Sequence, residues 1–237
     1  MGSPCQRKMK IGGLQRVSLI DYPGKISAIV FTQGCNFRCS YCHNPELVDP
    51  EQFQPCLPEK DILEFLNKRQ GKLDAVTLTG GEPSCQADLI PFIKQIRKLG
   101  FAIKIDTNGT RPDVITSLFK EKLIDYIAMD VKAPPDKYAL IVNAPVDTES
   151  ISGSVRMILA SNIAHEFRTT IVQSQLTETD LLAIAGDIRG AKRYILQKYR
   201  PTKPLDRKFL KETTWPDEVL LKIKKTLEKD IDHVIIR

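Results

Sequence analysis

The sequence predicts an α/β protein built as a partial (β/α)6 TIM-like barrel. Three observations carry that prediction. Apolar, β-rich runs alternate with amphipathic segments along most of the chain. The runs are apolar at nearly every position, as strands of a parallel sheet covered on both faces must be. Polar clusters follow the runs directly, and in α/β barrels the C-terminal strand ends are where chemistry is built.

From the N-terminus, residues 1–10 are expected to be frayed, and the first apolar run spans 26–32 and ends in Gln33-Gly34-Cys35. The stretch 43–57 is the longest irregular connection and is expected to cover the site. A helix over 58–70 opens on Pro58 and Glu59, a start signal of the kind that suits a helix N-terminus. The second run, 75–79, leads into Gly80-Gly81-Glu82-Pro83. A helix over 88–99 stops at Gly100, and the third run, 101–106, leads into Asp106-Thr107-Asn108-Gly109. A helix over 112–120 opens on Pro112, and the fourth run, 126–131, carries Asp130 and Lys132 at its end. Helices over 149–161 and 178–188 flank the fifth run, 166–172, in which Arg168 and Thr170 share a face. The sixth run, 193–197, ends at Gln197, and a last helix over 216–229 leads into a possible seventh strand at 233–236. No linker rich in Gly, Pro or Ser interrupts this order, so residues 1–237 are expected to form one domain.

Composition narrows the classes. Hydrophobic residues make up 42% of the chain, enough for a sizeable core. The net charge of +6 permits an acidic partner without demanding one. No basic–aromatic stripe of the single-strand binders is present, so a nucleic-acid partner is not expected. No apolar stretch is long enough to span a bilayer, and residues 1–10 lack the apolar centre of a signal peptide. The expected location is cytoplasmic, without a membrane partner. There, six cysteines point to metal or redox chemistry before disulfides.

Three of those cysteines form one loop, Cys35-Asn36-Phe37-Arg38-Cys39-Ser40-Tyr41-Cys42, with the spacing C-x3-C-x2-C. Thiolates are soft ligands suited to iron. A [4Fe–4S] cluster has four irons and this loop offers three ligands, which leaves one iron open to an exogenous ligand. Two other readings stand beside this one. A structural zinc could use His43 as a fourth ligand, although zinc sites usually pair C-x2-C with a distant second pair. The three could also be unrelated buried thiols. Cys5, Cys56 and Cys85 lie too far apart in sequence to ligate a second cluster and read as ordinary thiols, and His165 reads as a strand-start histidine without a catalytic role.

The cysteine loop, with Tyr41 before its last cysteine and Gly80-Gly81-Glu82-Pro83 downstream, resembles the radical S-adenosylmethionine (SAM) superfamily. The resemblance covers about residues 10–200 and implies a partial β/α barrel of the radical SAM type. It implies a [4Fe–4S] cluster on Cys35, Cys39 and Cys42, and SAM chelating the open iron. SAM cleavage would then yield methionine and a 5′-deoxyadenosyl radical. It places SAM contacts at Tyr41, His43, Gly80, Gly81, Glu82, Asp106, Asn108, Asp130 and Lys132. Arg168 either faces the SAM carboxylate or is simply buried and paired. No residue is assigned as an acid or base, because the cluster and SAM carry the chemistry.

The stretch 12–45, with Ser18-Leu19-Ile20-Asp21-Tyr22-Pro23-Gly24-Lys25 and Tyr41-Cys42-His43-Asn44-Pro45, is similar to activating proteins of anaerobic ribonucleoside-triphosphate reductase. These are close to pyruvate formate-lyase activating enzymes. The resemblance implies a glycyl-radical enzyme as protein substrate and a flavodoxin or ferredoxin-type electron donor. The end of the sixth run lacks the histidine that pyruvate formate-lyase activators place near SAM, which leaves the partner open. The alternatives are a radical SAM enzyme acting on a peptide, a tRNA base or a small metabolite, and a non-enzymatic metal-binding protein.

Overall fold

The computed structural model describes residues 9–237. Its sheet has eight strands in strict sequence order. They are β1 (Ile11–Ser18), β2 (Ser27–Thr32), β3 (Ala75–Gly80), β4 (Ala102–Thr107), β5 (Tyr126–Asp130), β6 (Ala164–Ile171), β7 (Tyr194–Lys198) and β8 (Val234–Ile236). From β2 onward every pairing is parallel, whereas β1 runs antiparallel to β2. Among the described residues β1 and β8 do not pair, so the curved sheet stays open on one side. The six predicted runs are β2 to β7, and the seventh is β8.

Apolar residues on the outer strand faces, such as Ile103, Ile105, Ile127 and Met129, meet helices that turn one stripe inward. These helices are α2 (Glu59–Asn67), α3 (Leu89–Lys98), α4 (Pro112–Lys120), α6 (Thr148–Ala160), α7 (Glu178–Asp187) and α8 (Asp217–Leu227). In α3, Phe92, Ile93 and Ile96 are fully buried, each contributing about 1.5–3 kcal/mol by leaving water. Thr177 and Asp180 close a reciprocal capping box at the start of α7. No helix among the described residues is long and apolar enough to cross a membrane.

The inner face is lined differently at its two ends. At the N-terminal end Ala75, Ala102, Tyr126 and Ala128 leave room that Tyr22, from the β1–β2 turn, fills from below. The Tyr22 and Tyr126 rings lie 5.7 Å apart. The C-terminal end carries polar and charged side chains instead.

Four expectations need correction. The strand β1 was missed, because its middle residues are half-exposed, it opens with Gly12-Gly13, and two register shifts break its pairing. The stretch 43–57 is not wholly irregular: it holds α1 (Pro45–Val48) and a 3-10 turn over Pro50–Gln52, each with Pro at its start. A short helix, α5 (Tyr138–Val142), lies between Pro134-Pro135 and a left-handed Asn143. The expectation of a frayed terminus falls mostly on residues 1–8, which lie outside the described residues. Met9 is buried, however, and its amide donates to Glu59 Oε1 at 2.7 Å.

Candidate active site

The C-terminal ends of β2 to β7 surround one cavity of about 250 Å³. Cys35, Cys39 and Cys42 line it, together with Tyr41, His43, Gly80, Gly81, Glu82, Asp106, Asn108, Asp130, Lys132 and Arg168. The structure thus brings the three loop cysteines and every expected SAM contact to a single rim. Thr170 and Gln197 reach the same space.

The cysteine loop is held by its backbone. The Arg38 amide donates to the Val142 carbonyl at 2.8 Å, and the Arg38 guanidinium donates to the carbonyls of Cys35 and Phe37. Phe37 packs against Tyr138 of α5, with ring centroids 6.2 Å apart. The short helix that sequence reasoning missed is therefore the platform for this loop. Burial raises the Cys35 thiol, aided by the charge of Glu82, to about 12. Burial also raises Cys39 and Cys42. Thiols in such a place ionise only beside a strong positive charge, which a coordinated metal supplies. Among the described residues no three His, Cys, Asp or Glu side chains converge on one metal ion. The His43 ring is oriented by its Nε2, 2.8 Å from the Arg200 carbonyl, and by stacking on Tyr199.

Gly80 and Gly81 bring the end of β3 against the end of β2. Gly80 has φ +111°, and a Cβ there would lie 2.5 Å from the Thr32 amide nitrogen. A Cβ on Gly81 would overlap the Gly34 carbonyl. Side chains are excluded, so bare backbone faces the cavity. Glu82 follows, and only 1% of it is exposed. Its carboxylate accepts from the Ser84 amide, Ser84 Oγ and Thr107 Oγ1, and from the Asn108 amide at 2.7 Å. Burial raises its pKa while these donors pull it back. This carboxylate bolts the end of β3 to the end of β4. Asn108 extends the chain of contacts, donating to Asn36 Oδ1 of the cysteine loop at 2.8 Å.

A chain of alternating charges crosses the cavity floor. Lys104 Nζ donates to Asp106 Oδ1 at 2.7 Å, and Arg168 donates to Asp106 Oδ2 at 3.1 Å and to Asp130 Oδ1 at 2.7 Å. Lys132 Nζ completes it, 2.8 Å from Asp130 Oδ2 and 6.0 Å from the Tyr41 ring centroid. Burial alone would raise both aspartates, but Arg168, Lys104 and Lys132 outweigh it and hold both below the usual carboxylate range. Burial works against Lys132 and Arg168 too, and the aspartates more than reverse it. Arg168 is thus buried and paired, and all four groups stay charged at neutral pH.

Lys104 was missed. Only 2% of its side chain is exposed. The signal was available: a lysine two residues before Asp106, inside an apolar strand, must share the inward face of Asp106. Glu166, also buried, accepts from the Tyr126 hydroxyl at 3.0 Å lower in the barrel. His165 is buried against Phe167, away from the cavity. Cys56 and Cys85 are exposed free thiols, and Cys5 lies outside the described residues.

Comparison with known proteins agrees with this geometry. The sequence profile of the radical SAM superfamily matches residues 29–187. A Methanocaldococcus jannaschii protein, provisionally named as a glycyl-radical enzyme activating enzyme, is 37% identical over 97% of this chain and 96% of its own length. The pyruvate formate-lyase-activating enzyme of Clostridium pasteurianum is 32% identical over 131 residues, 54% of each protein. Among solved structures, Streptococcus suis SuiB bound to its precursor peptide SuiA superposes at TM-score 0.69 with 13% identity. That match covers 88% of this chain and 48% of SuiB, so this chain spans about half of SuiB, and the likeness is one of fold. Matched by profile over most of its length and by a full-length relative, the chain is an enzyme of the radical SAM superfamily and belongs to its glycyl-radical enzyme activating family.

Proposed function

We propose that this enzyme generates a glycyl radical on a partner protein, most directly an anaerobic ribonucleoside-triphosphate reductase. The observation that carries the reading is the meeting of three cysteines, one buried and two half-buried, a bare glycine cradle and a paired charge network at one rim. Likeness to a glycyl-radical enzyme activating protein over the whole chain supports a protein substrate. The activator-like stretches 18–25 and 41–45 favour the reductase.

Cys35, Cys39 and Cys42 would hold a [4Fe–4S] cluster. The backbone at Gly80-Gly81 would receive the amino group of SAM, and Lys132, on the same cavity wall, would contact SAM while Arg168 holds the two aspartates in place. Together, the cluster and SAM would supply a carbon radical strong enough to take a hydrogen atom from a glycine Cα. The protein's own task is positioning. Asp106, Asp130, Arg168 and Lys132 fix one another, so a ligand meets preset charges with little reorganisation. Tyr41 and Phe37 close the cavity wall and exclude water beside the cysteines. The open side of the sheet leaves an approach for a loop of the partner.

The test is anaerobic reconstitution with iron and sulfide, chemical reduction, and measurement of 5′-deoxyadenosine from SAM. Wild type should carry about four irons and release deoxyadenosine, and Cys39→Ala should do neither. Adding the reductase should then produce a doublet in the electron paramagnetic resonance spectrum. Deoxyadenosine formation without a doublet on any glycyl-radical enzyme would move the substrate to a peptide, a tRNA base or a small metabolite. Zinc in place of iron would sink the enzymatic reading.

A further inference from the structure

The positive charge of this chain is not spread evenly. Residues 198–212 hold Lys198, Arg200, Lys203, Arg207, Lys208 and Lys211 against Asp206 and Glu212, a net +4 of the chain's +6. The segment leaves the end of β7 and runs as a strap across the outside of the cysteine loop. The Leu205 amide donates to the Cys42 carbonyl and the Asp206 amide to the Ser40 carbonyl, each at 3.0 Å. His43 locks the upstream end through the Arg200 carbonyl and the Tyr199 ring. The Tyr199 hydroxyl donates to the Phe209 carbonyl at 2.9 Å and ties the two arms together.

Two of the six cations are neutralised locally: Lys198 pairs with Asp217 and Lys203 with Glu46. Arg200, Arg207, Lys208 and Lys211 are exposed and form no ion pair among the described residues. Three of them crowd one 3-10 turn, Arg207–Lys211, at separations of three and four residues. Like charges at that spacing destabilise a helical turn, so their clustering does nothing for the fold. None of residues 198–212 lines the cavity, so they do not serve substrate binding there. The strap that carries them is bonded directly to the cysteine loop, through the Leu205 amide to the Cys42 carbonyl.

We propose that this strap is the docking surface for an acidic one-electron carrier protein of the flavodoxin or ferredoxin kind. The proposal rests on the reading above that the cysteine loop holds a redox cluster. In each encounter the carrier loses one electron and the cluster gains it, with no bond made or broken. A cationic patch fits an acidic carrier because complementary charge raises encounter rates and fixes orientation. A single-stranded nucleic acid is the poorer fit. Such ligands need exposed aromatic rings, whereas Tyr199 is buried and Phe209 half-buried.

The test uses reconstituted enzyme and the charge-reversed variant Arg207→Glu/Lys208→Glu/Lys211→Glu. Cluster reduction is followed by stopped flow with flavodoxin hydroquinone, and in parallel by photoreduction with deazaflavin, a small molecule that needs no docking surface. At low ionic strength the variant should react with flavodoxin at least about tenfold more slowly, and the wild-type rate should fall with added salt. Deazaflavin-driven deoxyadenosine formation should be unchanged. The neutral variant with Gln at the same three positions should fall between, which keeps the test readable if charge reversal disturbs the turn. Equal flavodoxin rates in all three proteins would overturn the proposal. So would a variant that keeps its flavodoxin rate but loses glycyl-radical yield under deazaflavin, because the strap would then dock the substrate enzyme. No deoxyadenosine from wild type under deazaflavin would instead overturn the functional reading beneath it.

Discussion

At the residue scale the informative side chain is Lys104. A buried ammonium is costly unless paired, and this one has Asp106 at 2.7 Å and the Tyr126 ring at 5.8 Å. Arg168 is the second cation on the same carboxylate. With Lys104 replaced by Met, Asp106 keeps one partner in place of two, and the expected loss is about 2–3 kcal/mol of stability. Adding Asp106→Asn to that variant should recover part of the loss, because the carboxylate no longer lacks a counter-charge. Chemical denaturation of the two single variants and the double variant measures the coupling, expected to exceed about 1 kcal/mol. Additive losses would mean that the pair is not energetically linked. The same network explains why Asp106, Asp130 and Lys132 could be picked out from their strand-end positions, and Arg168 from its strand face, while their pairing could not. Which cation faces which carboxylate depends on the register between β4, β5 and β6, and no single strand contains that information.

At the element scale, legibility followed burial. The outward positions of β2 to β7 are mostly apolar because helices cover that face, while the inner face also carries polar side chains such as Lys104, Glu166 and Arg168. Their periodicity survived in the sequence. The strand β1 is an edge with a half-exposed centre, and α5 has five residues between two prolines and a left-handed Asn143, so neither carries a measurable period. The motif 18–25 is a third case: resemblance singled it out, and local chemistry gave no reason for it. Its reason is architectural, since Tyr22 plugs the end of the barrel opposite the cavity. The turn presents Leu19 and Ile20 to solvent, 72% and 79% exposed. Replacing Tyr22 by Ala should therefore cost about 3–5 kcal/mol, as large aromatic deletions in cores do. Leu19→Ser should stay within about 0.5 kcal/mol. Neither should alter SAM affinity of the folded, reconstituted enzyme. A Leu19 variant less stable than the Tyr22 variant would show that the floor is not where this motif acts.

At the scale of the whole molecule, the open side of the sheet and the single rim make the segment 43–57 the part best placed to respond to a partner. Its two ends are pinned by backbone hydrogen bonds, and its middle is held more lightly, through the Gln33 side chain. The Leu47 carbonyl accepts from the Gly34 amide at 2.7 Å, and the Leu57 amide donates to the Ile11 carbonyl at 2.8 Å. Val48 and Asn44 reach the cavity wall. Between the anchors most residues from 50 to 56 are exposed, held by a 3-10 turn capped by Asp49 and by the Gln33 side chain, which donates to the Gln54 carbonyl at 2.9 Å and accepts from Cys56 Sγ. A stretch with few buried apolar contacts opens locally at low free energy, and its amides exchange fast. Backbone amides at 44–48 should therefore be protected in the enzyme alone, while those at 51–56 exchange readily. Once a glycyl-radical enzyme occupies the open side, the second group should slow by about tenfold or more, equivalent to about 1.4 kcal/mol of added local stability. Hydrogen exchange read by mass spectrometry, with and without the partner, distinguishes the two groups directly. Slowing confined to 198–212 would place the partner on the basic strap and leave the segment without a role in recognition. Unchanged exchange throughout would mean that the partner enters by another side of the barrel.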